Sequence, residues 1–284
     1  MRRLANALLV VAAVMGAFLS LGLLWFHLTT DPLIDVHAYY DAARRLNAGQ
    51  PLYLPNGDPT RPTFYFYPPL LAIVMRPFAG LPFHVFALGW ACVVVASFVS
   101  LVRNVGGGRR SLIALGLLGM PIAWALSVGQ AHVPMTLLMA LGQPWSVALA
   151  ANFKIFPILV GVWWLGRRDF QAVGALVAWM AILAAIQYIL EPAASIAFFS
   201  SVGFHQVAGV QNLSPYAISP ILWAVLMAVG GIAALILAPT RWGWAAAVTL
   251  ATLASPRLLV YMLTGLLAAV REPPSAGARS DDGS

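Results

Sequence analysis

Charge is what this chain has least of. Only 9% of its 284 residues are charged, whereas 61% are hydrophobic and the mean hydropathy is +0.84. A soluble domain carries roughly a quarter of its residues as Asp, Glu, Lys or Arg. The charges here are too few to cover a water-facing surface, which excludes a soluble enzyme and a disordered chain. Cysteine is nearly absent, because Cys92 is the only one and no disulfide can staple the loops within the chain. Lysine is scarcer still relative to arginine: of 16 basic residues, Lys154 is the sole lysine. The histidines His27, His37, His84, His132 and His205 show no HExxH or i,i+4 pairing, so the sequence supports no metal site. Gly106-Gly107-Gly108-Arg109-Arg110 lacks the Gly-Lys-Ser/Thr ending of a phosphate loop and reads as a turn. The net charge of +7 comes from arginines scattered between apolar runs. They form no basic stripe, which argues against a nucleic-acid partner and for topology signals beside anionic lipid.

What is abundant is apolar sequence, and it predicts an all-α, polytopic transmembrane helical bundle. The run 4–26 exceeds the h-region of a secretory signal and no small-residue cleavage site follows it. It reads as the first membrane helix, with Arg2 and Arg3 holding the N-terminus in the cytoplasm. Further apolar segments cover 68–81, 83–102, 111–128, 131–145, 147–166, 171–190, 218–238, 244–255 and 257–270, giving about ten. Segment 68–81 would rise only about 21 Å as a helix, so it is either a tilted span or a re-entrant piece. If all ten cross, Arg103, Arg109 and Arg110 fall outside, against the positive-inside rule. Residues 1–270 read as one membrane domain, with 27–66 as the first extracytoplasmic loop and 271–284 as a disordered cytoplasmic tail. No internal repeat is visible.

Of the nine acids, Asp31, Asp35, Asp41 and Asp58 share that first loop. Within it Val36, Tyr39, Tyr40, Ala43 and Leu46 recur at helical spacing, which predicts a short amphipathic helix lying on the membrane. Gly49 is its natural C-cap, and Asp31 or Asp35 its natural N-cap. Asp35 is therefore either a cap or a functional carboxylate. Lys154 stands in an otherwise apolar stretch three residues before Pro157. It is either a snorkelling side chain or a cation held for the phosphate of a lipid, and the proline, which breaks the backbone ladder, favours the second. The aromatic run from Phe64 to Tyr67, the polar break at Gly129, Gln130 and His132, and the amides Gln206, Gln211 and Asn212 supply groups that hold sugar rings and hydroxyls.

The order Asp35-x-x-x-Tyr39-Tyr40-x-Ala42, Gly49, Leu52-Tyr53, Tyr67-Pro68-Pro69-Leu70, Gly129-Gln130, Lys154-x-x-Pro157 and Ser255-Pro256 resembles glycosyltransferase family 87. That resemblance implies a GT-C fold and an integral membrane enzyme like the polyprenyl-phosphate-mannose-dependent α-mannosyltransferases. It implies Asp35 as the catalytic base and places Tyr67, Pro68, Gln130 and Lys154 in the donor region. Tyr39, His132, Gln211 and Arg257 complete the candidate substrate-binding set, with Arg44 and Arg61 as further cations. His132 departs from the pattern, since the family commonly has Asn there, and the chain is shorter than typical members.

The expected activity is transfer of a hexose such as mannose, with inversion, from a polyprenyl-phosphate carrier to an extracytoplasmic lipid or glycan acceptor. The expected place is the bacterial inner membrane, and no cofactor is implied. A single carboxylate suffices because a lipid phosphate leaves without protonation, whereas glycoside hydrolysis needs two. The alternatives are a transporter or flippase of lipid-linked sugar, and a shortened, inactive relative serving as an assembly partner.

Overall fold

The computed structural model describes residues 2–54, 64–201 and 212–271, and among these only helices and turns occur. The chain opens with α1 (Arg2–Thr30), followed by the short α2 (Val36–Asn47) and α3 (Pro69–Met75) and the long α4 (Phe83–Val105). A broken middle section follows: α5 (Arg109–Leu117), α6 (Gly119–Ser127), α7 (His132–Leu141), α8 (Pro144–Ala151) and α9 (Gly161–Gly166). Then come α10 (Phe170–Leu190), α11 (Pro192–Ser201), α12 (Pro220–Leu237) and α13 (Gly243–Leu253), and a 3-10 helix over Val260–Ala269 closes the described chain. The loop 55–63, Gln206, Gln211 and the tail 272–284 lie outside the described residues.

Four of these helices, α1, α4, α10 and α12, are long and apolar enough to cross a bilayer, and five spans result if α5 and α6 count as one. The remaining apolar runs of the sequence form shorter helices, so the expected ten uninterrupted crossings are not what the backbone shows. Proline and glycine cut them. Pro121 has no N–H to give and its ring crowds the carbonyl of Leu117, and here α5 and α6 meet at a bend of 63°. Gly142, at φ +59°, ends α7, and Pro144 starts α8.

Segment 68–81 returns to the side it left. At its start Tyr67 meets Tyr39 of α2, hydroxyl to hydroxyl at 3.1 Å, and at its end the Leu81 carbonyl accepts from the Tyr40 hydroxyl at 2.7 Å. Between them Arg76 exchanges hydrogen bonds with Asn47 at the end of α2 and pairs with Glu191. Both ends of 68–81 therefore lie against α2, the arrangement expected of the re-entrant alternative. With one crossing fewer before α4, Arg103, Arg109 and Arg110 move to the other end of the bundle. That end also receives Arg271, which donates to the Asn104 carbonyl at 2.9 Å. With 68–81 re-entrant, these arginines would share the side of Arg2 and Arg3, as the positive-inside rule expects.

α1 and the α5–α6 pair run parallel in close approach. A Cβ on Gly116 would stand 2.5 Å from the Ala13 carbonyl oxygen, and one on Gly119 2.9 Å from that of Gly16. Small residues let these backbones touch where lipid supplies no hydrophobic drive. Two cores result. One gathers α2, α3 and the start of α4 around Tyr39, Leu71 and Trp90; the other packs Trp163, Trp164 and Trp244 toward the arginine-rich end.

Candidate functional site

The amphipathic helix appears where its periodicity places it, and its burial explains why it forms. Val36, Tyr39, Ala43 and Leu46 are buried, while Arg44 and Asn47 are exposed. Gly49 takes φ +65° just beyond the helix end, and its N–H reaches the Leu46 carbonyl at 3.1 Å. α2 packs its apolar face on α3 and α4, with His37 stacked on Phe83 at 3.7 Å between ring centroids.

Asp35 occupies the N-cap position of α2, yet its side chain makes no capping hydrogen bond. The cap reading therefore gives way. The carboxyl Oδ2 instead accepts from the amide nitrogen of Gln130. The contact is built by backbone. Leu33 adopts a left-handed φ of +57°, sending its N–H to the Ser127 carbonyl at 2.8 Å, and the Asp35 N–H follows to Val128 at 3.2 Å. On the other side Gly129 breaks the helix at φ +74° and its carbonyl accepts from the Trp90 indole at 2.7 Å.

Gly129 has no room for a side chain, since a Cβ would meet Val36 Cγ2 at 2.5 Å in a backbone conformation that only glycine adopts without strain. Gly129→Ala is accordingly expected to destabilise the fold by about 1–3 kcal/mol and to part Asp35 from Gln130. Thermal melting in detergent checks the first effect, and an unchanged melting temperature would show that the turn yields freely.

Gln130 is the hub. Its carbonyl oxygen accepts from the Tyr67 hydroxyl at 2.9 Å and from Tyr39 at 3.4 Å, and the Tyr39 oxygen accepts the Ala131 N–H at 3.0 Å. Pro68 is buried at the head of α3, where its carbonyl takes the Tyr65 hydroxyl at 2.9 Å, so its part is to fix the aromatic run. That head is held from behind by an amide pair absent from the sequence-based candidates. Gln187 accepts the Leu70 N–H at 3.0 Å and donates to Asn152 at 2.6 Å.

Lys154 lies in the non-helical break after α8, beside the short 3-10 turn Phe156–Val160 that Pro157 enters. Its ammonium reaches the Met262 sulfur at 3.2 Å and sits 5.7 Å from the centre of the Tyr261 ring. Neither is a full counter-charge. Lys154, His132, Thr252, Ser255 and Met262 line a small cavity with room for about one water. His132 is buried there, its Nε2 3.0 Å from the Met262 carbonyl. Arg257 arrives from the turn before the last 3-10 helix, its guanidinium 4.4 Å over the Phe66 ring. Asn212 clamps that turn through the Pro256 carbonyl and the Leu258 N–H, both at 2.8 Å, so this amide is committed to structure. Gln211 lies outside the described residues.

Loss of water around the Asp35 carboxyl pushes it up to about 7, and the Asp31 charge adds to this. The Gln130 hydrogen bond and the positive charges of Lys154 and Arg257 pull the other way. The carboxyl and the two cations therefore act on one another electrostatically. Tyr261, Trp90 and Met262 are the members of this site that sequence alone did not single out. Their signal was hidden because aromatics and methionine are the ordinary filling of an apolar core.

A carboxyl held by an amide and ringed by tyrosines, inside an apolar helical bundle, belongs to a multi-pass membrane protein. The model of the family described as Glycosyltransferase family 87 matches residues 65–270, and the chain belongs to that family. It is similar to a Mycolicibacterium smegmatis protein named polyprenol-phosphate-mannose-dependent alpha-(1-2)-phosphatidylinositol pentamannoside mannosyltransferase, at 27% identity over 71% of this chain and 53% of the relative. The protein of the same name from Mycobacterium tuberculosis is 27% identical over 57% of this chain and 43% of its own length. The chain thus spans about half the length of the curated relatives it matches. No solved structure matches it.

Proposed function

We propose that this protein is a membrane glycosyltransferase of the GT-C type that moves mannose, with inversion, from a polyprenyl-phosphate carrier to a lipid or glycan hydroxyl, with Asp35 as general base. The observation that carries the reading is the Asp35–Gln130 contact standing within electrostatic reach of Lys154 and Arg257. The chemistry divides between those groups. Asp35 takes the proton of the acceptor hydroxyl, whose oxygen attacks the anomeric carbon, and the bond to the phosphate breaks with its electron pair on the phosphate oxygen. The cations hold the charge that develops there, so no second carboxyl is needed. The donor comes from the names of the relatives, both polyprenol-phosphate-mannose-dependent.

The arginine-rich end is the cytoplasmic one in this reading, which puts the N-terminus inside and Asp35 on the far face of a bacterial inner membrane. The test is the protein in lipid nanodiscs with polyprenyl-phosphate-mannose and a mannoside lipid acceptor. A product whose anomeric configuration, read by NMR, is opposite to the donor's supports the proposal. A product of retained configuration overturns it, as does labelled donor crossing vesicle leaflets with no new glycosidic bond.

A further inference from the structure

Tyr261 stands where the parts of the site converge. It is 9% exposed, in the first turn of the 3-10 helix Val260–Ala269, four residues after Arg257. Its ring lies under the Lys154 ammonium and meets the His132 ring edge-on, at 5.7 and 6.1 Å. Its oxygen is turned to the Gln130 side chain, and Asp35, Arg257 and Tyr67 all act on it electrostatically. The other phenols near the base are committed: the Tyr39 and Tyr67 hydroxyls serve the Gln130 carbonyl oxygen and one another. Gln130 presents its N–H side to Asp35, and the Tyr261 phenol lies near the same amide. The Tyr261 ring stands beside the Lys154 ammonium, on the same stretch of chain that brings Arg257. An anion drawn there by the two cations meets a neutral donor whose position is fixed by packing.

We propose that Tyr261 touches the donor lipid, giving its O–H as a hydrogen bond to the phosphate oxygen that departs from the anomeric carbon. The proposal rests on the transferase reading above. The phenol keeps its proton throughout, while the acceptor's proton goes to Asp35 and the breaking bond's electrons go to the phosphate. A donor aimed at charge that grows during the reaction acts more on turnover than on binding.

Tyr261→Phe keeps the ring beneath Lys154 and removes only the hydroxyl, and Asp35→Asn serves as the inactive reference. With polyprenyl-phosphate-mannose as the probe, Y261F is expected to lose about tenfold to a hundredfold in kcat, with KM for the donor within about threefold of wild type. Its melting temperature should match wild type. Full turnover by Y261F alongside a dead D35N overturns the Tyr261 assignment alone. Loss of activity in step with a lowered melting temperature makes Tyr261 a packing aromatic and overturns it too. A wild-type protein that forms no mannosyl product takes down the underlying reading and this role together.

Discussion

Asp35→Asn should leave a folded protein that transfers no measurable sugar, a fall of roughly a thousandfold or more. The substitution preserves shape and still offers an oxygen to Gln130, and the carboxyl caps no helix N–H, so little stability depends on its charge. What is lost is the ability to accept a proton. Melting within a few degrees of wild type, with transfer below detection, is the expected pair of results. The wild-type pH profile checks the same group independently. Only the ionised carboxylate can act as base, and its affinity for the proton is raised to about 7. kcat/KM should therefore rise with pH and level off above about 7, falling tenfold per unit on the acid side. A flat profile between about 5.5 and 8.5, or a D35N protein that still transfers, would remove Asp35 from the chemistry.

Lys154→Met is expected to move activity and stability in opposite directions. The ammonium's near contacts are a thioether and an aromatic face, which return little of the cost of leaving water. A methionine of similar length removes that cost, so the melting temperature should equal or exceed that of wild type. Transfer should drop about a hundredfold or more, since the charge that faces the leaving phosphate is gone. The Asp35 profile should also shift to higher pH, because Lys154 currently favours the ionised carboxylate. Lys154→Arg, with its wider fork, is expected to restore part of the rate. A K154M protein with wild-type turnover and an unmoved pH profile would reduce this lysine to a snorkelling side chain.

The legible parts of this protein in its sequence were those with a period or a charge. α2 could be read from Val36, Tyr39, Ala43 and Leu46, its end from Gly49, and Asp35 and Gln130, both singled out by the sequence, are in contact. The count of spans was not legible, because hydropathy sums side chains and is blind to backbone. Pro121, Gly142 and Pro157 lie inside apolar windows and interrupt helices without lowering their hydrophobicity. Gln187 and Asn152 escaped for the same reason, each a lone amide in an apolar run until the fold pairs them. The cap position of Asp35 was a real local signal that tertiary structure overrode, since Gln130, far off in sequence, offered its carboxyl a better-placed donor.

The glycine seam between α1 and the bent α5–α6 pair has a mechanical consequence. α1 runs directly into the turn bearing Asp35, and α6 runs directly into Gln130, so the two chains of atoms leave the seam together and rejoin at the acid–amide contact. This closed loop works like a ruler with two marks. A slip of one residue along α1 displaces the carboxylate by about 1.5 Å, enough to take it out of reach of its partner. Ala13, Gly16 and Ser20, seated on Gly116 and Gly119, prevent the slip. Residues of an apolar helix seam thereby set the height at which the carboxyl stands.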